Sequence, residues 1–172
     1  MKTIDLLEEL QEKPEFKTFK SQNLDSFFAA AFLILDLEKE TEQIQLDFFL
    51  PKENKIAAFS HPFTDPKIHD NIISISKSGT TEPTNPTPMK PQTLDIKIDI
   101  DDLSPTCDKI IKENESKIKP TKIIAILKDN TWNLTCMDNA LGIVRIKINT
   151  ISGETQDFSK GSLMDFMGIK KK

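Results

Sequence analysis

Tyrosine is absent from this chain, tryptophan occurs once, at Trp132, and glycine only five times in 172 residues. So few flat rings give no stacking platform for bases or sugars, and the single indole reads as core packing beneath a helix. The five glycines form no Gly-x-Ser-x-Gly elbow, phosphate-binding loop or dinucleotide fingerprint. Two cysteines, Cys107 and Cys136, are too few for a disulfide scaffold and fit a reducing compartment, so a cytoplasmic location is expected. Each sits on the apolar side of its element, where a thiol reads as a small core residue rather than a redox or nucleophilic partner. No apolar run is long enough to cross a bilayer: the longest, residues 27–35, has about half of the ~20 residues a helix needs. The first residues lack the basic start and apolar stretch of a signal peptide, so none is expected.

Positive charge is not in excess either, since 23 Lys and Arg stand against 27 Asp and Glu, a formal charge of -4. Neither nucleic acid nor a membrane surface is an expected partner. What is present is a 37% apolar fraction, enough for a core in one domain or two small ones.

The apolar spacing predicts a helix over residues 3–11, closed by Pro14; residues 16–22 alternate only weakly around Phe16 and Phe19. Three strands follow as a meander, at residues 27–37, 44–50 and 56–59, with Pro51-Lys52-Glu53-Asn54 as the second turn. Residues 76–92 are rich in Ser, Thr, Asn and Pro and read as an exposed linker or disordered loop. They divide the chain into an N-terminal unit, residues 1–75, and a second unit, residues 93–172.

The second unit opens with a strand pattern at Leu94, Ile96, Ile98 and Ile100. Ser104 and Pro105 suit a helix start, the face Cys107, Ile110, Ile111, Asn114 and Ile118 continues it, and Pro120 stops it. Strands are expected at residues 123–127, 132–136 and 141–150. The expected class is α+β, with two helix-plus-antiparallel-meander units packed together. Leu163, Met164, Phe166 and Met167 make a last apolar cluster, a short helix over the sheet or an adhesive surface.

Residues 99–154 carry, in order, Asp-Ile-Asp-Asp-Leu-Ser-Pro before a helix, Pro-Thr-Lys-Ile-Ile-Ala-Ile-Leu, Thr-Trp-Asn-Leu-Thr, and Ile-Lys-Ile-Asn-Thr-Ile-Ser-Gly-Glu. This stretch resembles a PepSY module, whose last strand ends in an Asp-x-x-Thr-Gly-Glu-like turn; here Asn149 stands where Asp is commoner. Residues 45–56 look like the companion region of archaeal or environmental proteins that carry such a module. The resemblance implies cystatin-like or PepSY-like units, each with a helix packed on a sheet, and a regulatory or peptide-binding role, given the family's association with peptidase propeptides and inhibition.

Two function classes follow. The leading expectation is a non-enzymatic, cofactor-free module that binds protein or peptide through an exposed sheet face, a strand edge or an aromatic groove near Phe49 and Phe63, with Leu163, Phe166 and Met167 as further contacts. The alternative is a metal-dependent hydrolase using His61, Asp65 and His69, whose four-residue spacing would align three ligands on a helix. Pro62 and Pro66 argue against that helix and leave two exposed loop histidines. Asp95, Asp99, Asp101, Asp102 and Asp108 lack the Gly and Glu of a calcium loop and read as solvated carboxylates.

Overall fold

The computed structural model describes residues 1–71 and 88–162. Among them are three α-helices, α1 (Thr3–Gln11), α2 (Pro14–Gln22) and α3 (Leu103–Glu113). Eight strands accompany them: β1 (Phe27–Asp36), β2 (Thr41–Leu50), β3 (Lys55–Ser60), β4 (Lys67–Asp70), β5 (Lys122–Lys128), β6 (Thr131–Met137), β7 (Gly142–Asn149) and β8 (Thr155–Ser162). All eight strands form one antiparallel sheet in the order β4-β3-β2-β1-β5-β6-β7-β8, so β1 and β5 join the two halves at its centre. The class is α+β, as expected.

One face of the sheet carries the main core. Ala31, Leu33 and Leu35 of β1 alternate inward, their partners across the seam being Leu127, Ala125 and Ile123, and Trp132, Leu134 and Cys136 extend the layer. Onto it α1 lays Leu6, Leu7 and Leu10, α2 lays Phe16 and Phe19, and α3 lays Leu103, Cys107, Ile110 and Ile111.

Several local expectations are corrected. Pro14 does not merely close α1; it is the first residue of α2, where its missing N–H removes nothing. Phe16 and Phe19 then fall on one face of a helix, the i, i+3 spacing that two residues alone make look like weak alternation. Leu94 to Ile100 is not a strand. Ile96, Ile98 and Ile100 turn inward as the spacing implies, but β1 and β5 already occupy each other's central edge, and the segment bonds instead to the β5–β6 and β7–β8 ends. Lys97 N donates to Thr150 O at 2.7 Å, and Trp132 Nε1 donates to Ile98 O at 2.7 Å. Ser104 is inside α3 rather than capping it. The capping carboxylate is Asp99, ahead of a 3-10 turn at Ile100–Asp102 that leads into the helix. The helix ends at Glu113, where Asn114 Nδ2 donates back to Ile110 O at 2.8 Å, well before Pro120.

β4 and β8 were not expected. Both are outer strands: all four residues of β4 are exposed, and β8 has a single half-buried apolar residue, Phe158, so neither leaves an alternating pattern in the sequence. The proline-rich stretch expected as a linker ends inside the fold, with Met89 and Gln92 buried. The early Pro83 and Pro86 and the C-terminal cluster of Leu163, Phe166 and Met167 lie outside the described residues.

Candidate functional site

The three helices cover one face of the sheet, so the other face is where side chains can meet a partner. Directly paired residues on antiparallel strands share a face. From β1 outward, Phe32 and Ile34 stand beside Ile126 and Ile124 of β5, and these beside Asn133 and Thr135 of β6, then Lys147 and Arg145 of β7, then Asp157 and Ser159 of β8. In the other direction Phe32 pairs with Gln45, and Asp47 and Phe49 of β2 stand beside Ala58 and Ile56 of β3, which pair with Lys67 and His69 of β4.

Two zones result. At the centre, Phe32, Ile34 and Ile124 are half-buried and Ile126 is 39% exposed, an apolar row with no element over it among the described residues. Toward β8, a depression of about 340 Å³ is lined by Asn133, Thr135, Arg145, Lys147, Asp157 and Ser159, which offer donors, acceptors and both signs of charge.

At one end the open face is closed. Phe49, Ile56, Ala29 and Ala30 form a second small core under Met89. The β-bulge between Phe28 and Ala30 and the run of alanines there leave room for that approach. Gln92 fixes the strap: its N–H donates to Phe28 O at 2.9 Å, its Nε2 donates to Asn130 Oδ1 at 2.9 Å, and its Oε1 accepts from Asn130 N at 2.9 Å. Asp129 and Asn130 both have positive φ, the two-residue turn that suits a twisted hairpin, and so present Asn130 to Gln92.

Asp47 is the titratable group on this face with a resolved rise: burial pushes its carboxyl above the ordinary 3.8, opposed by Gln45 Nε2, which donates to it at 2.8 Å, and by the nearby His69.

The residues singled out from sequence are distributed over both sides. Phe49 belongs to the small core beside Phe27, with ring centroids 5.6 Å apart, whereas Phe63 is buried in the main core, so the two do not share a groove. His61 follows β3 on the helix side, its Nε2 3.3 Å from Glu9 Oε1 and its ring edge-on to Phe63. Asp65 lines a shallow surface beside α2, and His69 lies on the open face. The three are not assembled, and among the described residues no three His, Cys, Asp or Glu side chains cluster to hold a metal. Sequence reasoning missed Gln92 and Asn130, and it read Asp99 as solvated although it is only 8% exposed.

Cys107 and Cys136 meet in the main core with Sγ atoms 3.4 Å apart. Their mutual hydrogen bond and burial push the Cys107 thiol far up, so it stays protonated.

The fold defines the class: among the described residues, a single antiparallel sheet of eight strands with helices on one face and an open, mixed apolar and polar surface on the other. No family model matches the chain, and no curated protein matches it. Among solved structures it is similar to the crystal structure of a "putative lipoprotein" from Clostridium difficile 630, at 10% identity and a TM-score of 0.46, over 84% of this chain and 89% of that one.

Proposed function

We propose that this protein is a non-catalytic module that binds a protein or peptide on the open face of its sheet. The observation that carries the reading is the row Phe32, Ile34, Ile124 and Ile126, apolar side chains left half-exposed at the middle of the face, beside Gln45 on one side and the polar and charged residues of β6 to β8 on the other. A lone exposed Ile means little, but four that adjoin across two neighbouring strands make a continuous patch with a polar rim, the anatomy of a binding surface. The polar depression beside it supplies hydrogen-bonding groups that would fix the orientation of a bound chain.

The PepSY resemblance supports the same reading. The order α3, β5, β6 with Trp132, β7 is the order it implies, and Asn149 ends β7 at the turn that follows, its Oδ1 accepting from Ile151 N and Ser152 N at 2.9 Å each. The mirrored strand order about the β1–β5 seam favours two related helix-plus-meander units that share one sheet.

The test places a photoreactive residue at position 126 and, in a second sample, at Lys109 on the exposed side of α3. A partner should crosslink from position 126 and not from position 109. Ile126→Asp should weaken capture of that partner by at least about tenfold with the circular-dichroism spectrum unchanged. Equal crosslinking from both positions, or undiminished capture by Ile126→Asp, would remove the open face as the site.

A further inference from the structure

The binding surface makes no use of the two thiols in the main core. Cys107 lies on α3 and Cys136 on β6, they are the only cysteines in the chain, and both are fully buried. Two elements separated in sequence thus bring both thiol sulfurs face to face at 3.4 Å, in a core cluster whose other members are aliphatic or aromatic. A sulfur against an aliphatic neighbour would be ordinary packing; two thiols in contact place each within reach of the other's chemistry.

We infer that Cys107 and Cys136 are a disulfide-forming pair, a covalent modification site that ties α3 to β6 when the chain meets a disulfide oxidant. A disulfide needs its sulfurs about 2.05 Å apart, so they must close by about 1.4 Å. Rotation of the two χ1 angles and a small shift of α3, which shares no backbone ladder with the sheet, provide that movement. The reaction balances as two exchange steps. One cysteine loses its proton, and its thiolate attacks a sulfur of the oxidant, forming a mixed disulfide and expelling the first oxidant thiolate. The second cysteine then loses its proton and attacks the protein-side sulfur, closing the bridge and expelling the second oxidant thiolate. The two expelled thiolates take up the two protons; the protein pair is oxidised by two electrons and the oxidant disulfide reduced by two.

Burial makes the exchange slow in the folded chain, because a thiolate forms only when α3 opens from the sheet. The decisive quantity is therefore an equilibrium. If the folded geometry favours the bridge, folding stabilises the bridge and the bridge stabilises folding by the same factor.

The full chain is equilibrated in glutathione buffers of graded ratio, from the reduced and the oxidised side until they agree, with and without urea. Free thiols are then alkylated and counted by mass spectrometry, and the bridged peptide is identified after digestion. The native chain should reach half bridging at a glutathione ratio more reducing than the unfolded chain requires, by at least about tenfold. The bridged protein should melt on the order of 10 °C above the reduced one. Cys107→Ser and Cys136→Ser should each remove the bridge and leave only a mixed disulfide with glutathione at the remaining thiol. A native chain that bridges no more readily than the unfolded one, that accumulates mixed disulfides in place of the bridge, or that melts lower when bridged would overturn the inference. None of these outcomes depends on the open-face reading.

Discussion

Asp99 joins the start of the chain to the start of its second half. Its Oδ1 accepts from Thr3 N at 3.0 Å, from Thr3 Oγ1 at 2.6 Å and from Ile100 N at 2.7 Å, while its own N–H donates to Asp102 Oδ2 at 3.0 Å. Thr3 is itself fully buried, so removing the acceptor strands two donors away from water. Asp99→Ala should therefore destabilise the protein by about 2–4 kcal/mol, read as a lower urea midpoint at unchanged slope. Asp47 acts in the opposite sense. Its folded carboxyl titrates above 3.8, so the folded state binds a proton more tightly than the unfolded state does, and stability falls as pH rises through the interval between the unfolded and folded values. Asp47→Asn keeps an oxygen for Gln45 and removes the partly buried charge. It should raise the melting temperature at neutral pH, and thermal melts across pH should show that gain shrinking as pH falls toward 3.8.

At the scale of elements, α2 shows what can and cannot be read from a sequence. Its proline marks a helix start and its two phenylalanines fit one helical face, but nine residues with only two large apolar positions do not distinguish helix from alternation. The packing decides: Phe16 and Phe19 meet Phe59 with ring centroids 5.4 and 5.1 Å away, and Phe48 lies 5.8 Å from Phe59. Phe59→Ala should cost about 3–5 kcal/mol by urea unfolding, and Phe59→Leu markedly less, because the leucine fills most of the volume. Strands that bury one face, such as β2 and β6, wrote themselves into the sequence as alternation. β4 and β8 did not, since an edge held by backbone bonds needs no apolar period. The open face was legible only as a possibility. Phe32, Ile34 and Ile124 sit in runs that look buried on both faces, and only the placement of the helices tells which side stays uncovered. Phe49 and Phe63 are both large aromatics, but side-chain size does not reveal which face of a sheet a residue joins, and the two fall in different cores.

At the scale of the whole molecule, the described residues form one sheet and one main core drawn from both halves, joined along the seven paired positions from Ala30 to Asp36 and Lys128 to Lys122. Leu33 and Ala125 face each other there, both fully buried, and α1 from the first half is tied by Thr3 to Asp99 of the second. Neither half can leave without exposing the apolar surface of the other, so the loss of one removes the support of its neighbour. Unfolding should be a single transition. Trp132, the only tryptophan, reports the second half by fluorescence, while far-ultraviolet circular dichroism includes α1 and α2 of the first half as well as α3 of the second. In urea the two signals should trace one superimposable curve, and Leu33→Ala, a cavity at the seam, should move both midpoints down together by about 2–5 kcal/mol of stability. Curves that separate, or a Leu33→Ala effect confined to the circular-dichroism signal, would mean that each half folds around its own core and that the seam is an interface between two domains.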